Sequence, residues 1–228
     1  MPSGLNVGCC GFPVGRSRYF PEFDAVEITS TATRIPKIET AERWRSEAPP
    51  GFKFSIRVPR ILTASSPFRI TPALRKTLAS FRAVLEALEP HFVVYETPAV
   101  FYPSADNMRA MYDFFKGPGR GPWRSVWIPR GRQFDEKIRT RICTDLRILL
   151  GADALNAEDP PSGTRYWRLT GRAEGGHRVS RGVSFTDAEL RTAMSRCASG
   201  KNSYVFLENA AMFRDAKRLK KYSITGQF

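Results

Sequence analysis

Three glutamates and a group of arginines stand where a converging site would need them in this 228-residue chain. Glu27 lies in the stretch Asp24 to Pro36, DAVEITSTATRIP, where Val26 and Ile28 alternate with Glu27 and Thr29 in the two-residue period of a strand. Arg34-Ile35-Pro36 ends that element, because the residue before a proline is pushed away from helix. A carboxylate near the carboxyl end of a short, otherwise apolar strand must be paired, hydrated or used. Glu96 and Glu208 fall at the ends of two further predicted strands, Arg57 and Arg168 on two more, and Arg60, Arg130 and Asn209 just past strand ends.

Carboxylates so placed suit acid–base chemistry, one of them with a raised pKa, and Glu27 with Glu208 is the natural pair. Three of them also offer oxygen ligands to Mg²⁺ or Mn²⁺. Guanidiniums suit binding of an anion. The set therefore reads as catalytic Glu27, Glu96 and Glu208, with Arg57, Arg60, Arg130, Arg168, Asn209 and Arg172 as substrate-binding residues. A set of barrel-closing salt bridges is the plainer reading of any one pair. Two histidines, and four cysteines without a C-x-x-C pair, argue against zinc and iron chemistry. No residue is assigned as a metal ligand, and no motif specifies a cofactor. Cys9 and Cys10 read as buried thiols.

Eight strands are needed to position these residues, and eight can be read. They are Leu5–Gly11, the Glu27 strand, Phe52–Val58, Phe92–Glu96, Arg124–Ile128, Arg147–Leu150, Arg165–Leu169 and Ser203–Glu208. Predicted helices separate them at 39–47, from Pro72 toward Pro90, 105–115, 134–144, Asp187–Cys197 and about 210–222, with Thr71, Ser104 and Thr186 as caps. Eight strand–helix units without a long linker predict one α/β domain over 1–228, a single (β/α)8 TIM-type barrel. The chain is short for that fold, so some helices must be trimmed or missing. The first unit and the stretch after the sixth strand are the places expected. The loop after the seventh strand, with Arg172, His177, Arg178 and several glycines, suits phosphate binding or a plain surface loop.

Lys plus Arg number 36 against 22 acidic residues, a formal charge of +14. That charge is spread out and densest at Arg214, Lys217, Arg218, Lys220 and Lys221, which fits either an anionic partner or a solvated helix face. No apolar run reaches the roughly 20 residues of a membrane span, and no signal peptide opens the chain. A soluble, cytoplasmic protein is expected. Scarce glutamine beside many arginines hints at a thermophilic source.

In aggregate, VEITSTATRIP, ETAERW, GFKFSIRVPR, YETPAVF, RYWRLTGR, FTDAELRTA and YVFLENAAMFRDAKRLKK resemble the DUF72 family of YecE-like proteins, over nearly the whole chain. The resemblance implies a (β/α)8 barrel of unknown function. This chain is divergent. It has Thr29, Ala32 and Thr33 where the family carries Asn, Phe and Tyr, Glu96 for a customary glutamine, Trp127-Ile128-Pro129-Arg130 in the fifth strand, and Glu208-Asn209 for two asparagines. Glu27, Arg57, Pro59 and Arg60 keep the pattern. Three functions fit these residues. One is an enzyme acting on a small anionic, phosphorylated or sugar-like substrate at the carboxyl-terminal mouth of the barrel. The others are a nucleic-acid-binding basic protein and a barrel scaffold without catalysis. The sequence does not fix an oligomeric state.

Overall fold

The computed structural model describes residues 4–64, 67–131, 133–155, 163–171, 182–198 and 202–225. Eight parallel strands hydrogen-bond in chain order into a closed barrel. They are β1 (Leu5–Cys10), β2 (Ala25–Ile28), β3 (Lys53–Arg57), β4 (Phe92–Thr97), β5 (Arg124–Pro129), β6 (Leu149–Asp153), β7 (Thr164–Leu169) and β8 (Asn202–Leu207). The helices among the described residues are α1 (Arg16–Tyr19), α2 (Ile38–Glu47), α3 (Pro72–Leu88), α4 (Ala105–Lys116), α5 (Glu136–Leu146), α6 (Asp187–Ala198) and α7 (Met212–Thr225). The barrel read from the sequence is the fold. Its first helix is a single short turn, and no helix is described between β6 and β7.

Local chemistry sets the helix starts. The Thr71 hydroxyl accepts from the Leu74 amide at 3.3 Å with Pro72 in the first helical position, and Ser104 accepts from Asn107 at 3.3 Å. Asp135 accepts from Ile138 at 2.8 Å. Thr186 and Glu189 form a reciprocal capping box: the Thr186 amide donates to Glu189 Oε2 at 2.7 Å, and the Glu189 amide to Thr186 Oγ1 at 3.3 Å. Each cap contributes about 1 kcal/mol.

Two compact units can be distinguished: residues 1–27, 50–53 and 151–228, and residues 28–49 and 54–150. In the first, Gly8 is indispensable at the β1–β2 contact. A side chain there would reach within 2.2 Å of the Ala25 carbonyl oxygen. Tyr19 of α1, fully buried, locks the same corner, accepting from the Cys9 amide at 2.7 Å and donating to Ala25 O at 2.9 Å. Helix α7 packs on β1 and β8. In the second unit α2 packs on α3, and Trp127, fully buried, donates from its indole to Thr97 Oγ1 at 3.0 Å, tying β5 to β4.

Two sequence expectations need correction. The alternation of β2 suggests one apolar and one polar face, yet all four residues are buried, because a barrel strand is covered by helices outside and side chains inside. The sequence predicts the sixth strand at Arg147–Leu150, and it lies at Leu149–Asp153. Helix α5 runs on to Leu146 and Arg147 closes it in the left-handed region at φ 54°, so the strand starts later and takes in Gly151.

Candidate functional site

The hydrogen bonds and ion pairs gather the predicted residues in two groups, one in each unit. In the first unit Glu27 on β2 is fully buried and Arg168 on β7 is 2% exposed. Arg168 Nη2 donates to Glu27 Oε1 at 2.6 Å and its Nε to Oε2 at 3.2 Å, a two-pronged contact. The Tyr166 hydroxyl donates to the same Oε2 at 2.6 Å. Tyr166 stands two residues before Arg168, so the strand period puts both on one face. Burial and the neighbouring carboxylate push the Tyr166 phenol well above its ordinary value of 10.0. Charge on Glu27 is thus met by a guanidinium and a phenol deep in the protein. It is sealed from solvent.

In the second unit, Glu96 near the end of β4 faces two cations. Arg130 Nε, just past β5, lies 2.5 Å from Oε1, and Arg57 Nη1, at the end of β3, lies 3.7 Å from Oε2. The side chains are 21% (Glu96), 38% (Arg130) and 14% (Arg57) exposed. Backbone bonds hold both strand ends: the Arg130 amide donates to Thr97 O at 2.9 Å and the Val58 amide to Val94 O at 2.9 Å. The Arg57 carbonyl accepts from the Thr31 hydroxyl at 2.6 Å. Two guanidiniums thus stand against one carboxylate within reach of water, Arg130 the more exposed. That arrangement can take a further anion through charge-assisted hydrogen bonds.

Other predicted residues fall differently. Arg60 is exposed and opens a single turn of 3-10 helix, Arg60–Leu62. Glu208 follows β8, with its amide on Leu169 O at 2.8 Å. Asn209 is buried, and its amide nitrogen donates to Val183 O at 3.0 Å and Asp215 Oδ2 at 2.8 Å. It therefore serves a network around Asp215, which also accepts from Ser184 Oγ at 2.6 Å, the Phe185 amide at 2.9 Å and Arg218 Nη1 at 2.9 Å. Arg172, with His177, lies outside the described residues. Among the described residues no group of three or more His, Cys, Asp and Glu side chains could hold a metal ion, so the three-carboxylate Mg²⁺ or Mn²⁺ site weighed from the sequence is not formed there. Cys9 is buried and its thiol is pushed up to about 12 by that burial.

Sequence reasoning missed Tyr166 and Asp215. Tyr166 is an uncharged phenol and Asp215 an acid within a helix, so neither has the mark of a charged residue at a strand end. The signal for Tyr166 was there, in its position on the Arg168 face. A cavity of about 420 Å³ lies at α4, lined by Phe68, Arg69, Asp106, Arg109 and Phe114 among others. It holds none of the predicted site residues. No described helix is long and apolar enough to cross a membrane.

Comparison with known proteins accords with this architecture. A DUF72 family protein from Enterococcus faecalis V583 superposes with a TM-score of 0.79 at 12% identity, covering 97% of this chain and 98% of that one. A DUF72 family protein from Thermotoga maritima MSB8 gives 0.73 at 18% identity, over 97% and 99%. A xylose isomerase domain containing protein from Salmonella typhimurium LT2 gives 0.64 at 9% identity, over 99% and 97%. These likenesses are of fold. No curated protein matches the chain. The family model described as protein of unknown function DUF72 matches residues 16–224, and the chain belongs to the DUF72 family.

Proposed function

We propose that this barrel is an enzyme that binds a small anionic substrate, phosphorylated or sugar-like, at the carboxyl ends of β3, β4 and β5. Arg57 and Arg130 contact the anion, and Glu96 holds both guanidiniums in place and is the carboxylate within reach of a proton on the ligand. The observation that carries the reading is the partly exposed pair of guanidiniums on Glu96, at 2.5 and 3.7 Å. Strand carboxyl ends are where barrels of this kind place their chemistry. Glu27, the first choice from sequence, supports the fold in this reading, because its oxygens are already occupied.

The basic run of α7 does not favour a nucleic-acid partner. Lys217 pairs with Glu22 at 2.7 Å, Lys220 with Asp24 at 3.0 Å, and Arg218 with Asp215 and Asp187. Much of that charge is compensated within the chain. The test is calorimetric titration of the protein with inorganic phosphate and sugar phosphates, in the wild type, Arg57→Gln and Arg130→Gln. Binding that falls at least tenfold in each variant supports the reading. Absence of binding, or equal binding in all three, overturns it.

A further inference from the structure

The loop after β4 combines a backbone held by hydrogen bonds with outward apolar side chains. Phe101 is 2% exposed, its ring 5.5 Å from that of Phe68 and stacked at 5.8 Å on Phe134. Its amide donates to Pro98 O at 2.9 Å. The Tyr102 carbonyl accepts from the Ser104 amide at 2.8 Å and from Asn107 Nδ2 at 2.9 Å. With Phe101 driven inward and the chain fixed on both sides, Val100 and Tyr102 are turned out to 76% and 56% exposure. Ile61, on the loop that follows the neighbouring strand β3, is 52% exposed. Single exposed apolar residues are ordinary, whereas two flanking one buried residue on a loop offer apolar surface to a ligand.

This ledge adjoins the charged group through Gly131. That residue follows Arg130 at φ 84°, and a side chain on it would come within 3.0 Å of the Ala99 methyl. Ala99 precedes Val100, and Arg130 holds Glu96. Positive charge and apolar surface are therefore neighbours on one stretch of protein.

We propose that the ligand is an organic anion with an aromatic or aliphatic group, its anionic end on Arg57 and Arg130 and its apolar part on Val100 and Tyr102. This rests on the anion-binding reading above and narrows it, since a bare phosphate or a polyol phosphate would leave the ledge wet. The partly exposed guanidinium of Arg130 beside the ledge favours such an anion over a neutral apolar ligand.

The experiment compares phenyl phosphate, glycerol phosphate and inorganic phosphate by calorimetry on the full chain, in the wild type, a Val100→Ser/Tyr102→Ser variant and Arg130→Gln. Burial of about half a phenyl ring predicts about tenfold tighter binding of phenyl phosphate than of inorganic phosphate. The ledge variant should bring that ratio to about one, while Arg130→Gln weakens every anion. Equal affinity for all three anions, lost together in Arg130→Gln, overturns the apolar ligand and leaves the anion site standing. No binding of any anion overturns both. Self-association of the wild type that the ledge variant abolishes shows that a second copy covers the ledge, which also overturns the proposal.

Discussion

Arg168 and Glu27 lie 141 positions apart in sequence, and Arg168 Nη2 sits 2.6 Å from Glu27 Oε1 with both residues almost wholly buried. Removing one member of a buried pair leaves an uncompensated charge, at a cost of about 3–5 kcal/mol. Glu27→Gln and Arg168→Met should each lower stability by that order in chemical denaturation. Replacing both, as Glu27→Leu/Arg168→Met, should cost less than the sum, since neither charge is then stranded. A Glu27→Gln protein as stable as the wild type but unable to bind anions would move Glu27 from fold to function.

The Glu96 group should behave in the opposite way. Its members are partly exposed, and ion pairs open to water contribute about 0–1 kcal/mol. Arg130→Gln, at 38% exposure, should leave the unfolding midpoint nearly unchanged, Arg57→Gln, at 14%, should lower it more, and both should weaken an anion binding that declines as salt is raised. Loss of stability with intact binding would show these arginines to be structural.

Much of the barrel was legible because alternation, caps and prolines are local signals. Thr71-Pro72, Ser104 and Thr186 marked their helices, and Glu27 stood out as an acid in an apolar strand. The pairings were not legible. Whether Arg168 meets Glu27 or Glu96 depends on barrel closure, which no local pattern encodes. Alternation reports which side chains point into the barrel and which point to the helices. It does not distinguish core from solvent when both faces are covered, as in β2. Arg147 misled for a different reason: a non-glycine residue in the left-handed region has no sequence mark, so the start of β6 was read two residues early.

Asp215 is the second buried acid. It holds Ser184, the Phe185 amide, Asn209 and Arg218, fastening the segment before α6 to α7. Asp215→Ala strands four donors and should cost about 3–5 kcal/mol. Ser184→Ala removes one hydrogen bond and should cost about 1–3 kcal/mol, since that bond is to a charged group. Hydrogen exchange at the Phe185 amide should quicken in Asp215→Ala. Unchanged exchange and a cost under about 1 kcal/mol would deny it this role.

Two buried thiols give the fold an alkaline weakness. Burial raises Cys9 and Cys143 from 9.0 to about 12, while hydrogen bonding from Tyr19 at Cys9 and the charge of Arg139 at Cys143 pull the other way. Below about pH 9 folded and unfolded chains both keep these protons, so pH has no effect through them. Between about 9 and 12 the unfolded chain releases protons that the native protein retains. Fewer protons are then bound in the unfolded state, and stability falls as pH rises, by about 1.4 kcal/mol per pH unit for each thiol. The unfolding midpoint should therefore drop between pH 9 and 10.5, and drop less steeply in Cys9→Ala/Cys143→Ala. Native protein at pH 8 should also resist iodoacetamide at both positions, because the thiolate is scarce and buried. Identical pH slopes in the two proteins, or rapid labelling of Cys9 in the folded state, would show that at least one of these thiols is open to solvent.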